Sequence, residues 1–307
     1  MNEKETVCAI VPTYNKRYLL RECLESVIAQ SRPPDHVLVV DNACTDGTKE
    51  MLEAEFPQVE VIRLAENQGS AGGFHEGLKR AYQLGFDWMW LMDDDAVARP
   101  EAVREFFAAI DKIRERLGRT PVLLASKVLW SDGRVHMMNF PTVFTEQTDN
   151  LFLLLELGFM PIRGASFVSI MLHRSVVGKY GYPIKEFFTW NDDVEYTHRI
   201  LAESSNLGVL VPQSVAVHKS ARPYRAYEVS ENNIGRYFYE VRNKFWLIKS
   251  SSLRRKEKIL FLLRALSSIY RFLRLNWSKS LAYWIVARGI ALGIFSNPSA
   301  IKEKGAD

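Results

Sequence analysis

A chain of 307 residues, 47% hydrophobic and 12% aromatic, can bury a large core and excludes a disordered protein; its length suits one big domain with an appendage, or two small domains. Net charge is +4, yet residues 236–288 carry thirteen Lys/Arg against Glu240 and Glu257, a local +11 that leaves −7 for the rest. An acidic body with a basic tail points to an anionic surface as partner, nucleic acid or membrane. Cys8, Cys23 and Cys44 lack metal-ligand spacing and read as reduced core residues of a cytosolic protein. The charged start, Met1 to Glu5, leads straight into a strand and shows no secretory signal.

In chain order, the apolar run 7–11 is stopped by Pro12-Thr13-Tyr14-Asn15, and residues 18–28 then recur at helical spacing up to Pro33-Pro34. A second buried strand, 36–40, ends in Asp41-Asn42, and Thr45-Asp46-Gly47-Thr48 opens a helix reaching Phe56. A third strand covers 59–64. A glycine-rich turn, 67–73, precedes a helix with Phe74, Leu78, Ala81 and Tyr82 on one face. The fourth strand, Trp88 to Met92, delivers Asp93-Asp94-Asp95. Four strands alternating with three helices predict an α/β fold with a parallel sheet of right-handed βαβ units. Further on, the pattern predicts a helix over 101–117 and strands at 122–129, 134–138 and 163–172. A helix from 192 to about 203, short strands at 209–212 and 215–218, and helices from 232 to 295 complete it.

Three adjacent carboxylates closing a buried strand repel one another unless a cation neutralises them. The carboxyl end of such a strand is where α/β sheets bind ligands. Mg²⁺ or Mn²⁺ on a phosphorylated substrate meets both conditions, against the alternative of a solvated acidic turn. Thr13-Tyr14-Asn15, Asp41-Asn42, Asn67-Gln68-Gly69 and the aspartates end their strands at one edge, which makes a ligand rim. Gly69 and Gly72 would let a bulky ligand approach the backbone. Asn191 reads as a helix cap, with Asp192, Asp193 and Glu195 in the first turn, either as charges favoured by the helix dipole or with one of them as general base beside Trp190. His218, ending a short strand, is structural or, if it faces the aspartates, completes a metal shell. The basic tail interleaves Arg and Lys with Leu, Ile, Tyr and Trp, the composition of an interfacial membrane helix or of a packing helix with a solvated basic face; the apolar run 281–295 is too short to span a bilayer.

Taken together, Val11-Pro12-Thr13-Tyr14-Asn15, Val39-Val40-Asp41-Asn42, Thr45-Asp46-Gly47-Thr48, Asn67-Gln68-Gly69 with Gly72-Gly73, the aspartate triplet, Trp190 to Tyr196 and Val217-His218 resemble the family 2 inverting glycosyltransferases of GT-A fold. Bacterial galactofuranosyltransferases and rhamnosyltransferases are the most similar group. The resemblance implies a catalytic domain over 1–229, with a nucleotide-sugar half to about residue 98 and an acceptor half after it. The helical region 230–307 then contacts a membrane or a partner. It further implies a UDP- or dTDP-linked donor held by Pro12, Thr13, Tyr14, Asn15, Asp41, Asn67, Gly69, Gly72, Gly73, Asp93 and Asp94, and a divalent metal on Asp93, Asp95 and His218. Trp190 and Glu195 would line the acceptor site, and Asp193 would be the base. Two departures stand out: Asp41-Asn42-Ala43-Cys44 replaces the commoner Asp-Asp-Gly-Ser, and the intervening Asn191 makes Asp192 a rival base. The implied acceptor is a glycan or polyprenyl-linked glycan at the cytoplasmic face of the inner membrane, with no nucleic acid partner and with self-association left open. Rival readings are a sugar nucleotidyltransferase and an inactive membrane-binding module.

Overall fold

The computed structural model describes residues 5–144, 148–220 and 225–298, so the charged start at 1–4 and the end of the basic region lie outside the described residues. The first hundred residues follow the predicted alternation: β1 (Val7–Thr13), α1 (Arg17–Ile28), β2 (His36–Asp41), α2 (Thr48–Glu55), β3 (Glu60–Arg63), α3 (Gly69–Gln83) and β4 (Trp88–Met92). These four strands are parallel, in the order β3-β2-β1-β4. β1 and β4 are buried throughout, and the two faces of each strand serve two cores. Val7, Ala9, Val11, Trp88, Trp90 and Met92 pack beneath α1 and beneath α4 (Ala102–Leu117), whereas Cys8, Ile10, Met89 and Leu91 pack against Phe74, Leu78 and Ala81 of α3. A strand covered on both faces has no polar side, which is why these runs read as continuously apolar.

Beyond β4 the sheet becomes mixed. β5 (Ala96–Ala98), β6 (Leu123–Trp130), β7 (Thr142–Val143), β8 (Met160–Gly164), β9 (Ser169–His173) and β10 (Gly208–His218) extend it as β4-β9-β6-β10-β8-β7, with β5 pairing β10. Interspersed are α5 (Thr148–Glu156), α6 (Arg174–Tyr180) and α7 (Asp192–Ile200), and α8 (Tyr237–Lys249), α9 (Arg255–Leu275) and α10 (Ser280–Phe295) close the chain.

Several expectations are corrected. The glycine-rich turn is the first turn of α3, because the Asn67 carboxamide oxygen accepts the Gly69 N–H and the Phe188 carbonyl accepts the Ala71 N–H. Residues 134–138 form no strand; only Val135 bridges Leu129, and His136 instead stacks on Trp130. The run 163–172 is broken, since β8 pairs with β10 while β9 sits between β4 and β6. The two short strands predicted at 209–212 and 215–218 are one strand with a bulge at 212–214, where Pro212 has no N–H for the ladder and Ser214 turns inward to Ser126. Cys8 and Cys23 are core residues, but Cys44 is only partly buried.

Candidate active site

A cavity of about 1110 Å³ opens where β1, β2 and β4 end. Pro12, Thr13 and Tyr14 line one part of it, with Asn67 and Gly69 from the start of α3. The aspartate triplet enters from β4. Directly after it, β5 turns antiparallel along β10, which sets Ala96 opposite His218. That register brings His218 Nε2 to 3.0 Å from Asp95 Oδ1, while His218 Nδ1 donates to the Asn139 carboxamide oxygen at 2.9 Å. Asp93, Asp95 and His218 each direct a donor atom into one space, all within 4.8 Å of one another. Asp94 turns the other way, accepting from Thr13 Oγ1 at 2.8 Å and from Lys16 Nζ at 2.9 Å; Lys16 also reaches Asp95 at 2.8 Å.

Burial, then the charge of Asp95, pushes Asp93 up to about 7. Burial likewise opposes ionisation of Asp95, but the hydrogen bond from His218 and the Lys16 charge outweigh it and hold this carboxyl below its usual range. His218 is raised: burial works against its charge, and the bond to Asp95 prevails. Lys16, too, is desolvated yet kept protonated by Asp94 and Asp95. Two carboxylates and an imidazole whose far nitrogen is held by an amide fit Mn²⁺ or Mg²⁺, hard or borderline cations that take oxygen with some nitrogen.

The second acidic group reaches the same cavity from the foot of α7. Trp190, Asp192 and Asp193 line it, and the loop before them is unusual: Phe188, Trp190 and Asn191 all have positive φ, at 63°, 63° and 68°. Such conformations in bulky residues persist only where the surroundings enforce them. Here the enforcing group is Asn243 of α8, whose amide nitrogen lies 2.9, 2.9 and 2.8 Å from the carbonyls of Phe187, Thr189 and Trp190. Gly69 packs from the other side, so closely that a Cβ on it would sit 1.9 Å from the Phe188 carbonyl oxygen. Asp192 is buried, and that burial, with the charge of Asp193, raises its pKa far above the ordinary value. Burial raises Asp193 to about 6, the Val194 N–H at 2.7 Å partly offsetting it.

Five expected site residues stay outside the cavity. Asp41 accepts the Cys44 N–H at 2.8 Å and faces Arg63 at 3.3 Å, and its neighbour Asn42 lines the cavity instead. Asn15 accepts the Thr45 N–H and so ties two loops together. Gly72 and Gly73 lie inside α3, where the space a side chain would need is filled by Gln68, and by Pro12 and Asn42. Glu195 is turned inward to Arg199 at 3.0 Å and Ser252 at 3.1 Å. Asn191, expected to cap α7, makes no cap bond; its amide donates to Glu240 at 3.0 Å. Lys16, Asn139, Glu240 and Asn243 escaped the sequence reading. Lys16 alone had a local signal, a cation just past β1 available to three acids; the others meet the site across dozens of residues.

The family model of glycosyl transferase family 2 matches residues 8–181. Galactofuranosyltransferase GlfT1 of Mycobacterium tuberculosis is 26% identical over 263 residues, 82% of this chain and 84% of that protein. GlfT1 of Mycolicibacterium smegmatis is 41% identical over 95 residues, and that match spans only 32% of its length. Among solved structures, S. aureus TarS 1-349 in complex with UDP-GlcNAc superposes with a TM-score of 0.62 at 18% identity, covering 94% of this chain and 81% of that one. The mannosyltransferase PcManGT from Pyrobaculum calidifontis, in complex with GDP-Man and Mn²⁺, gives 0.55 at 18% identity, covering 95% and 81%. With the family model spanning more than half of its length and the fold shared with these solved glycosyltransferases, the chain belongs to glycosyl transferase family 2 and has the GT-A fold.

Proposed function

We propose that this glycosyltransferase moves galactofuranose or rhamnose, with inversion, from a UDP- or dTDP-linked donor to a hydroxyl of a glycan or polyprenyl-linked glycan in cell-surface polysaccharide synthesis. One observation carries the reading: the metal-type set Asp93, Asp95 and His218 shares a cavity with the carboxyl pair Asp192 and Asp193. The relatives named galactofuranosyltransferase support the choice of sugar. Thr13, Tyr14, Asn67 and Gly69 bound the nucleoside end, and Asp93, Asp95 and His218 hold Mn²⁺ or Mg²⁺. That ion, when bound, supplies positive charge against which a diphosphate can depart.

Asp193 takes the proton of the acceptor hydroxyl while that oxygen bonds to the anomeric carbon and the bond to the diphosphate oxygen breaks. The products are the glycoside, the nucleoside diphosphate and protonated Asp193. Burial and the charge of Asp193 raise the Asp192 carboxyl well above its usual range, and the role of base goes to Asp193. Trp190 offers its ring to the acceptor, with the Arg236 guanidinium 5.2 Å from the ring centroid.

Incubation with UDP-galactofuranose, dTDP-rhamnose and a glycan acceptor tests this. Release of nucleoside diphosphate and an inverted anomeric signal by NMR are expected, whereas pyrophosphate release points to a nucleotidyltransferase. Asp193→Asn is expected to lower turnover by about 10²–10⁴-fold. Loss of turnover in Asp192→Asn with its retention in Asp193→Asn would overturn the assignment. We also read residues 230–298 as a bilayer-lying appendage to the catalytic domain. No described helix is long and apolar enough to cross a membrane, and α9 and α10 combine cations with exposed apolar side chains.

A further inference from the structure

The cavity is also lined by α9 and by the segment that precedes α8. Arg236, Arg264 and Arg271 line it there. Along α9, Arg264, Ser267, Ser268 and Arg271 are spaced i, i+3, i+4 and i+7, so they share one stripe, and all four face the cavity. Among the described residues none of these three arginines pairs with a carboxylate. Arg236 lies over Trp190, Arg264 sits 6.0 Å from the Phe261 ring, and Arg271 donates to the Tyr227 hydroxyl at 2.9 Å. Of the other cations lining the cavity, Lys16 is paired with Asp94 and Asp95 and Lys244 with Glu240, and Arg225 adds a further guanidinium. Three exposed guanidinium groups without a carboxylate partner line one cavity and offer it their N–H donors, and planar forks of N–H donors suit phosphate oxygens best.

A second stripe of α9 runs beside the first. Ile259, Leu263, Leu266 and Tyr270, at i, i+4, i+7 and i+11, are 55%, 59%, 51% and 66% exposed. A phosphate site with an uncovered apolar track alongside is the shape of a site for an amphiphile. We propose that Arg236, Arg264 and Arg271 hold the phosphate ester of a lipid-borne acceptor, with the hydrocarbon chain lying along Ile259, Leu263, Leu266 and Tyr270. This rests on the transferase reading, because Trp190 and Asp193 mark that end of the cavity as the acceptor's. The donor diphosphate belongs with Asp93, Asp95 and His218.

The test is calorimetric titration of the full chain, in uncharged detergent micelles, with farnesyl phosphate, with farnesol and with inorganic phosphate. UDP with Mn²⁺ is titrated in parallel. Farnesyl phosphate is expected to bind about 10- to 100-fold more tightly than either control, and the Arg264→Ala/Arg271→Ala variant to lose that advantage while still taking up UDP. Uptake of UDP also shows that the variant is folded, and Arg264→Lys/Arg271→Lys should recover part of the binding. Farnesol binding as tightly as its phosphate, inorganic phosphate binding as tightly as farnesyl phosphate, or a variant that weakens UDP instead, would each overturn the proposal. A wild-type chain that binds no UDP speaks against the transferase reading, and the farnesyl phosphate arms decide this one.

Discussion

Asp192 and Asp193 are sequence neighbours that burial treats unequally, and each leads to a different measurement. With Asp193 raised to about 6, its basic form is lost below that pH, so kcat/KM should fall about tenfold per pH unit on the acid side of about 6. A profile flat down to pH 4.5 would remove Asp193 from the base role. Asp192 is raised as well, by burial and by the charge of Asp193, so the folded chain keeps this proton to a higher pH than the unfolded chain does. Stability attributable to this group therefore falls as pH rises from the ordinary carboxylate value, 3.8, towards the raised one. Asp192→Asn removes the penalty. It should stabilise the protein near neutral pH by about 1 kcal/mol, about 2–4 °C in Tm, and the gain should fade by about pH 4. A melting series across pH decides it: a gain that persists at pH 4 means the effect is not ionisation.

At the scale of elements, the contact that matters is between α8 and the loop before α7. Asn243 spans the carbonyls of Phe187, Thr189 and Trp190, and Arg242 also reaches the Phe187 carbonyl, at 3.3 Å. The left-handed conformations at 188, 190 and 191 depend on that support, and they aim Trp190 and Asp193 into the cavity. Asn243→Ala should lower kcat by about 10–100-fold through misplacement while leaving UDP affinity unchanged, as steady-state kinetics and calorimetry would show. An unaltered kcat would mean that the loop holds itself. Gly69→Ala should be worse for folding, since the new Cβ collides with the Phe188 carbonyl and φ is +73°. The helical pattern from 232 to 295 already took in α8. That it reaches back to shape the catalytic loop was not readable, because a side-chain amide bonding to carbonyls some fifty residues away leaves no periodic trace.

Over the whole molecule, exposed apolar surface is concentrated on α9, α10 and the turn between them. Among the described residues, fourteen of twenty-four exposed large apolar side chains lie between Ile259 and Phe295, with Trp277 at 75% and Phe295 at 87%. Surface of this kind flanked by cations suits an anionic bilayer. The chain should float with phosphatidylglycerol vesicles and not with phosphatidylcholine alone, and Leu263→Glu with Trp284→Glu should abolish flotation. Flotation that survives both substitutions would place the contact elsewhere. Yet the appendage is not separable from the body: Trp246, Leu247 and Leu253 share a core with Ala71 and Phe187, and the buried Arg163 binds the Ser252 carbonyl at 2.7 Å.

From the chain alone, the βαβ order of the first hundred residues, the aspartate triplet at a strand end and the basic helical tail were all legible. Each is a local pattern: apolar period, turn residues, charge run. Which polar groups meet was decided elsewhere. His218 joins Asp95 because β5 doubles back along β10, Asp41 is drawn away by Arg63 and its own loop, and Glu195 is drawn away by Arg199. Such pairings depend on strand register and on which competing partner lies nearer in space, and these quantities exist only once the sheet has closed.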